Sequence, residues 1–158
     1  MTDPSSDNTP FATVLNRSLG TMIPTSASMN IEAIEVRPGF ASMRAPFAGN
    51  GNHFGVMYAG VLFTVAELLG GALAWASFDQ DRFYPLVKDM QINFRAPARS
   101  DVISQSTLSA AEIERISAEA LERGKSTYLL EATVTDVDGT VVATTTGTYQ
   151  LRAHRPAG

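Results

Sequence analysis

From Gly60 to Trp75 the chain reads Gly-Val-Leu-Phe-Thr-Val-Ala-Glu-Leu-Leu-Gly-Gly-Ala-Leu-Ala-Trp, and this run constrains the fold more than any other. A helix made from it is apolar on every side. It cannot lie on a surface with one face in water, so other elements must surround it. The run also carries Glu67, the only Asp or Glu between Ala45 and Phe78. An unpaired carboxylate in such surroundings is costly to bury, or its pKa rises. It faces a wet cleft, finds a partner, or does chemistry. The plainest reading is a Glu at the helix edge, solvated or paired with an Arg, but the residues just before it favour chemistry.

The remaining pattern supplies what surrounds the helix. Residues 1–9 are polar and acidic and read as a disordered leader. Thr9-Pro10 reads as an N-cap followed by proline at the first helical position, opening a short helix with Phe11, Val14, Leu15 and Leu19 on one face. Gly20 is expected to end it. Ile31–Arg37 and Phe40–Pro46 flank Pro38-Gly39 and read as strand, tight turn, strand. Ala48–Gly55 is a loop, and the long central helix is expected from Tyr58 to about Ser77. Further strands follow at Pro85–Arg95, Val102–Leu108, Ser126–Thr135 and Val141–Leu151, with Asp138-Gly139 as a hairpin turn between the last two. Ala110–Arg123 is either a helix closed by Gly124 or a strand end with a brief helical turn. The order predicts an α+β fold in which one antiparallel sheet wraps one long helix, its other face solvated or covered by a second subunit. Residues 10–153 form a single domain on this reading, with 154–158 as a flexible tail.

Composition narrows the function. The chain has 158 residues, enough to bury roughly 70% of its unfolded surface, and a formal net charge of −4 with no Lys/Arg run, which argues against nucleic acid as a partner. It has no Cys, so disulfides, thiolate metal sites and Cys nucleophiles are excluded. With two His, a His-rich metal site is not expected, and no Gly-x-Ser-x-Gly run marks a Ser nucleophile. No secretory signal is visible, and Gly60–Trp75 is too short and too interrupted to span a membrane. A soluble cytoplasmic protein is the expectation.

The segment Asn52-His-Phe-Gly55-Val-Met-Tyr58-Ala-Gly60, followed seven residues later by Glu67, carries the chemistry. Glycines at a helix start let a ligand approach the backbone, and the free N–H groups there can polarise a carbonyl and hold an oxyanion. Glu67 lies about 10 Å further along the axis from Ala59, too far to act on the same carbonyl within one subunit. The segment resembles the start of the central helix in hotdog-fold acyl-CoA thioesterases, in particular the phenylacetate-degradation (PaaI-like) branch. There the pattern is Asn, two residues, Gly, two residues, His-Gly-Gly, six residues, Asp or Glu. Asp89–Pro97 and the Asp138-Gly139 hairpin with Val141–Ala143 are similar too, so the likeness spans roughly residues 30–152.

The resemblance implies a hotdog fold, a homodimer with pairing into a tetramer as a further option, and an acyl-CoA substrate. No cofactor is implied beyond coenzyme A as part of that substrate. It further implies that Glu67 is general base or nucleophile, that Asn52 orients water or the carboxylate, and that the N–H of Ala59 or Gly60 forms the oxyanion hole of the other subunit. Three positions depart from the pattern: Tyr58 replaces His, Ala59 replaces the first Gly, and Val87 stands where some members carry Ser or Thr. Gly55, Tyr58 and His53 are expected beside the substrate, with Arg95 and Lys125 as cations for the coenzyme A phosphates. Surface cations are more often merely solvated. Met57, Phe63, Trp75, Phe83 and Phe94 read first as core or interface, with some available to line an acyl tunnel. Two other functions fit the same segment. One is a hotdog hydratase or dehydratase, which wants a His–acid pair that His53 matches poorly; the other is a non-catalytic acyl-CoA binding module.

Overall fold

The structure, a computed structural model, describes residues 10–155. The leader proposed for residues 1–9 and the last three residues lie outside that range. Ten elements follow one another: α1 (Phe11–Met22), α2 (Pro24–Ser28), β1 (Glu32–Arg37), β2 (Phe40–Ala45), α3 (Ala59–Ser77), β3 (Phe83–Phe94), β4 (Val102–Thr107), α4 (Ala110–Arg123), β5 (Lys125–Asp136) and β6 (Val141–Ala153). The strands form one six-stranded sheet in the order β1-β2-β4-β5-β6-β3, and every pairing is antiparallel. α3 packs against all six strands. This is the sheet-wrapped helix expected from the apolar run, and the hotdog architecture that the resemblance implies.

Side-chain alternation decides which face of the sheet holds α3. Along β5, Ser126, Tyr128, Leu130, Ala132 and Val134 are buried, while the residues between them face out. Cross-strand partners share a face, so Glu131, Thr146 and Gln91 lie together outside, as do Thr133, Thr144 and Asn93. The outer face is therefore polar over its centre, and the core lies between α3 and the inner face. In β1 the apolar alternation slips by one position at Ala33-Ile34. The sheet absorbs the slip as a bulge, which turns Ile34 outward while Ala33 and Val36 stay buried.

Several boundaries differ from expectation, each for a local reason. α1 does not stop at Gly20 but runs on to Met22, because Pro24 is the first residue unable to continue the ladder and Ile23 caps the end with its N–H on the Leu19 carbonyl. Gly20 instead lies inside the helix, where α2 packs close: a Cβ there would sit 3.5 Å from the Ala27 Cβ. Pro10, rather than the undescribed Thr9, is the N-cap residue, and the short helix α2 was not expected. α3 begins at Ala59, with Tyr58 as its N-cap. Pro85 falls within β3, which tolerates a missing N–H because β3 is an edge strand. Of the two options for 110–123 the helix forms: the Ser109 hydroxyl accepts from the Glu112 N–H at 3.1 Å, and Gly124 closes the end at φ 78°. By length and composition α3, at 19 residues, could cross a membrane, contrary to the reading of the run as too short. In this fold it is the core helix, wrapped by the sheet.

Candidate active site

The loop before α3 is held from both sides, and this places the helix start. The Asp101 carboxylate accepts from the Phe47 N–H at 2.8 Å and from Arg44, whose guanidinium also reaches Glu32. The Phe47 N–H and then Arg44 hold the Asp101 carboxyl below its ordinary pKa. The buried Asn50 amide donates to the carbonyls of Met29 and Pro46 at 2.7 and 2.8 Å. Asn52 Oδ1 accepts from the Phe54 N–H at 2.9 Å and closes a turn in which Gly55 takes φ 71°. Then Met57 N–H donates to the Ala98 carbonyl and Tyr58 N–H to the Asn50 carbonyl.

These bonds use the amides just before α3 and leave the next two. Among the described residues, the N–H groups of Ala59 and Gly60 meet no acceptor, and no side chain caps the helix. They stand at the positive end of a long helix as two backbone donors without a partner. The Tyr58 ring folds back over Gly60, where a Cβ would come within 2.5 Å of its Cε1.

Glu67 is half-buried, and no hydrogen bond or ion pair among the described residues engages its carboxylate. Burial pushes its pKa up. It lies on a stripe of α3 that the sheet does not cover, formed by Gly60, Phe63, Thr64, Glu67, Gly71 and Trp75 at helical spacing. Beside it opens an apolar cavity of ≈ 320 Å³ between α1 and α3. A buried tyrosine supports the same turn of helix: the Tyr149 hydroxyl donates to the Glu67 carbonyl at 3.3 Å. Tyr149 stacks on Tyr128, ring centroids 6.0 Å apart, and burial raises the pKa of both phenols. Sequence reasoning missed Tyr149. Its only signal was the small residues Gly70 and Gly147, which cannot be linked to it without knowing the register.

The residues singled out in the sequence divide among three places. Asn52, Ala59 and Arg95 share one cleft at the start of α3, with Phe94 and Pro97. His53 and Tyr58 lie on the other side of the Asn52 turn, both exposed, with the His53 ring against Phe54 and Gly55 at the loop tip. Glu67 stands apart on its own cavity. Lys125 is not brought to any of these. It opens β5 opposite Arg152, whereas Arg95 follows the end of β3 near Val142. That separation is about nine strand residues, or ~30 Å, so one chain cannot offer both cations to one phosphate. Val87 is on the exposed edge strand. Of the aromatic and Met residues, Trp75 lines the Glu67 cavity, while Met57 and Phe94 line the cleft at the helix start.

Comparison with known proteins supports the fold. No curated protein matches the chain. A Pseudomonas aeruginosa protein of unknown function, described as a probable thioesterase, is 47% identical and superposes with a TM-score of 0.85, over 92% of this chain and 98% of that one. A Haemophilus influenzae thioesterase shares the fold at 16% identity, with a TM-score of 0.70 over 90% of each chain. Residues 12–151 match the family model described as a domain of unknown function, DUF4442, and the chain belongs to that family.

Proposed function

We propose that this protein is a thioesterase that hydrolyses an acyl-CoA to the free acid and coenzyme A, as a cytoplasmic homodimer of the PaaI-like branch with further pairing into a tetramer open to it. The observation that carries the reading is Glu67: one unpaired, half-buried carboxylate, beside an apolar cavity and two turns along the same uncovered stripe from the free amides of Ala59 and Gly60. In a dimer that joins these stripes, the amides of one copy face the carboxylate of the other. The thioester carbonyl accepts hydrogen bonds from the Ala59 and Gly60 N–H groups. Glu67 takes a proton from water as the water oxygen bonds to the carbonyl carbon. The tetrahedral oxyanion then collapses, the carbon–sulfur bond breaks, and the proton passes from Glu67 to the departing thiolate. The free Nδ2 of Asn52 is available to the water or to the neighbouring carboxylate, its Oδ1 being committed to the turn. Arg95, at the mouth of the cleft, is the cation suited to the coenzyme A phosphates. The 47% identical Pseudomonas protein supports the thioesterase class.

The test is thiol release from a panel of acyl-CoAs, comparing wild type with Glu67→Gln. Loss of the base lowers turnover by ~100- to 10,000-fold in a protein that remains folded. Turnover per folded subunit close to wild type in Glu67→Gln refutes the mechanism. The departures at Tyr58, Ala59 and Val87 keep a second reading, an acyl-CoA binding module, which predicts saturable binding with no thiol release from any substrate.

A further inference from the structure

The cavity beside Glu67 names a class of acyl group. Leu15, Leu19 and Met22 of α1 line one side, Leu68 and Trp75 of α3 the other, and Pro85 of β3 also lines it. The polar side chains of Ser18 and Gln80 also reach it, but they are already engaged. The Ser18 hydroxyl lies 3.1 and 3.2 Å from the Val14 and Leu15 carbonyls of its own helix. The Gln80 amide nitrogen donates to the Phe78 carbonyl at 2.8 Å and lies near those of Ala74 and Trp75. Among the described residues, the Ser18 and Gln80 donors are thus spent, and the Trp75 indole N–H is the lining donor with no acceptor. The Glu67 carboxylate, also without a partner, stands at the cavity wall and repels a second anion. Burying a carboxylate beside Glu67 in this largely apolar lining is strongly unfavourable.

Size sets the length. An apolar cavity of ~150 Å³ takes one benzene, and this one, at ≈ 320 Å³, is about twice that. It has room for roughly twelve or thirteen carbon atoms by that scaling. We infer that the α1–α3 cavity is the acyl-tail site and selects a hydrocarbon acyl chain of medium length without a terminal carboxylate, with α1 as the specificity-determining wall. This inference rests on the thioesterase reading for its link to turnover, but not for the binding itself. The tail lies in the subunit that supplies Glu67, and the carbonyl emerges toward the helix-start amides of the second copy.

Straight-chain acyl-CoAs from two to sixteen carbons, and medium-chain analogues carrying a terminal carboxylate, test it with the full chain. The expected profile has a maximum of kcat/KM at medium length and a fall of at least about tenfold for the terminal carboxylate. Two variants move the maximum in opposite directions: Ser18→Leu fills the cavity and shifts it to shorter chains, whereas Trp75→Ala enlarges it and shifts it to longer ones. Opposite shifts cannot come from a general loss of stability. A flat wild-type profile, or a maximum that neither variant moves, overturns the inference. If no substrate releases thiol, the hydrolytic reading falls separately. Calorimetry with S-alkyl-CoA thioethers of the same lengths then decides: affinity peaking at medium length and shifting in the two variants upholds the cavity assignment, and affinity independent of length overturns it.

Discussion

Tyr149 sits where two glycines leave room for it. A Cβ on Gly70 would come within 2.0 Å of its ring, and one on Gly147 within 2.6 Å. The phenol can therefore cross α3 closely enough to meet the Glu67 carbonyl. Gly70→Ala should add helix propensity yet still destabilise, since the ring is buried against Tyr128 and cannot step aside. Overpacking of this kind costs ~1–3 kcal/mol, to be read as a lower denaturant midpoint, and a Gly70→Ala protein as stable as wild type contradicts the packing. Glu67 makes a different forecast. Burial raises its pKa, so the folded protein takes up this proton at higher pH than the unfolded chain. The stability associated with Glu67 is full at low pH, where it is neutral, and falls as pH rises through the raised pKa. Glu67→Gln should melt higher than wild type at neutral pH, and the gap should close on acidification toward about pH 4. Turnover in wild type moves the opposite way, rising as Glu67 ionises. A melting gap that does not change with pH is inconsistent with this carboxylate being buried and unpaired.

At the scale of elements, α1 is docked on β1 and buries Ala12, Leu15 and Leu19. It is tied to the sheet edge by Asn16, whose amide donates to the Ala33 carbonyl at 2.8 Å and whose carbonyl accepts from the Ala33 N–H at 2.7 Å. Those are the outward groups of β1 at its bulge, so one side chain both closes an open edge and seats the helix. Asn16→Ala should cost ~1–2 kcal/mol, the net of two hydrogen bonds, and should speed amide exchange across residues 11–22 more than across α3. Asn16→Asp keeps the acceptor and loses the donor, so it should fall between. Equal exchange rates in wild type and Asn16→Ala would show that packing alone holds α1. The same scale shows what is legible in local pattern. The Ser109 cap, the Gly124 stop and the Asp138-Gly139 turn are complete within a few residues, and the sequence carries all of each motif. Gly20 misled because its smallness serves contact with α2, a neighbour no local pattern reports.

For the whole molecule, the inner face is only partly covered. Beyond the stripe of α3, the inner-facing residues of β3 stay open: Val87 and Phe94 are exposed, the latter at 53%, and Met90 and Ile92 are half-buried. β3 is also a 12-residue edge strand with one unpaired side. An apolar strip beside a free edge invites a second copy. Sedimentation should give a homodimer or a dimer of dimers, and Phe94→Lys should weaken it and reduce turnover together. A stable, fully active monomer at micromolar concentration would remove the basis for a shared active site.

Sequence alone determined the long buried helix, the strands that must wrap it, and the isolation of Glu67. Each of these follows from hydrophobic periodicity and from the cost of burying charge, which act along the chain. It also marked the glycine-containing helix start, since a backbone cradle needs only small residues and no cap. Tertiary structure decided the rest. It engaged Asn52 Oδ1 in a turn, set Lys125 and Arg95 at opposite ends of the β5–β6 hairpin, laid Tyr149 across Gly70, and built the cavity between α1 and α3. Residues such as Ser18, Met22, Trp75 and Pro85 meet only when sheet register and helix docking are set. Those depend on packing between segments far apart in the chain, which local sequence pattern does not encode.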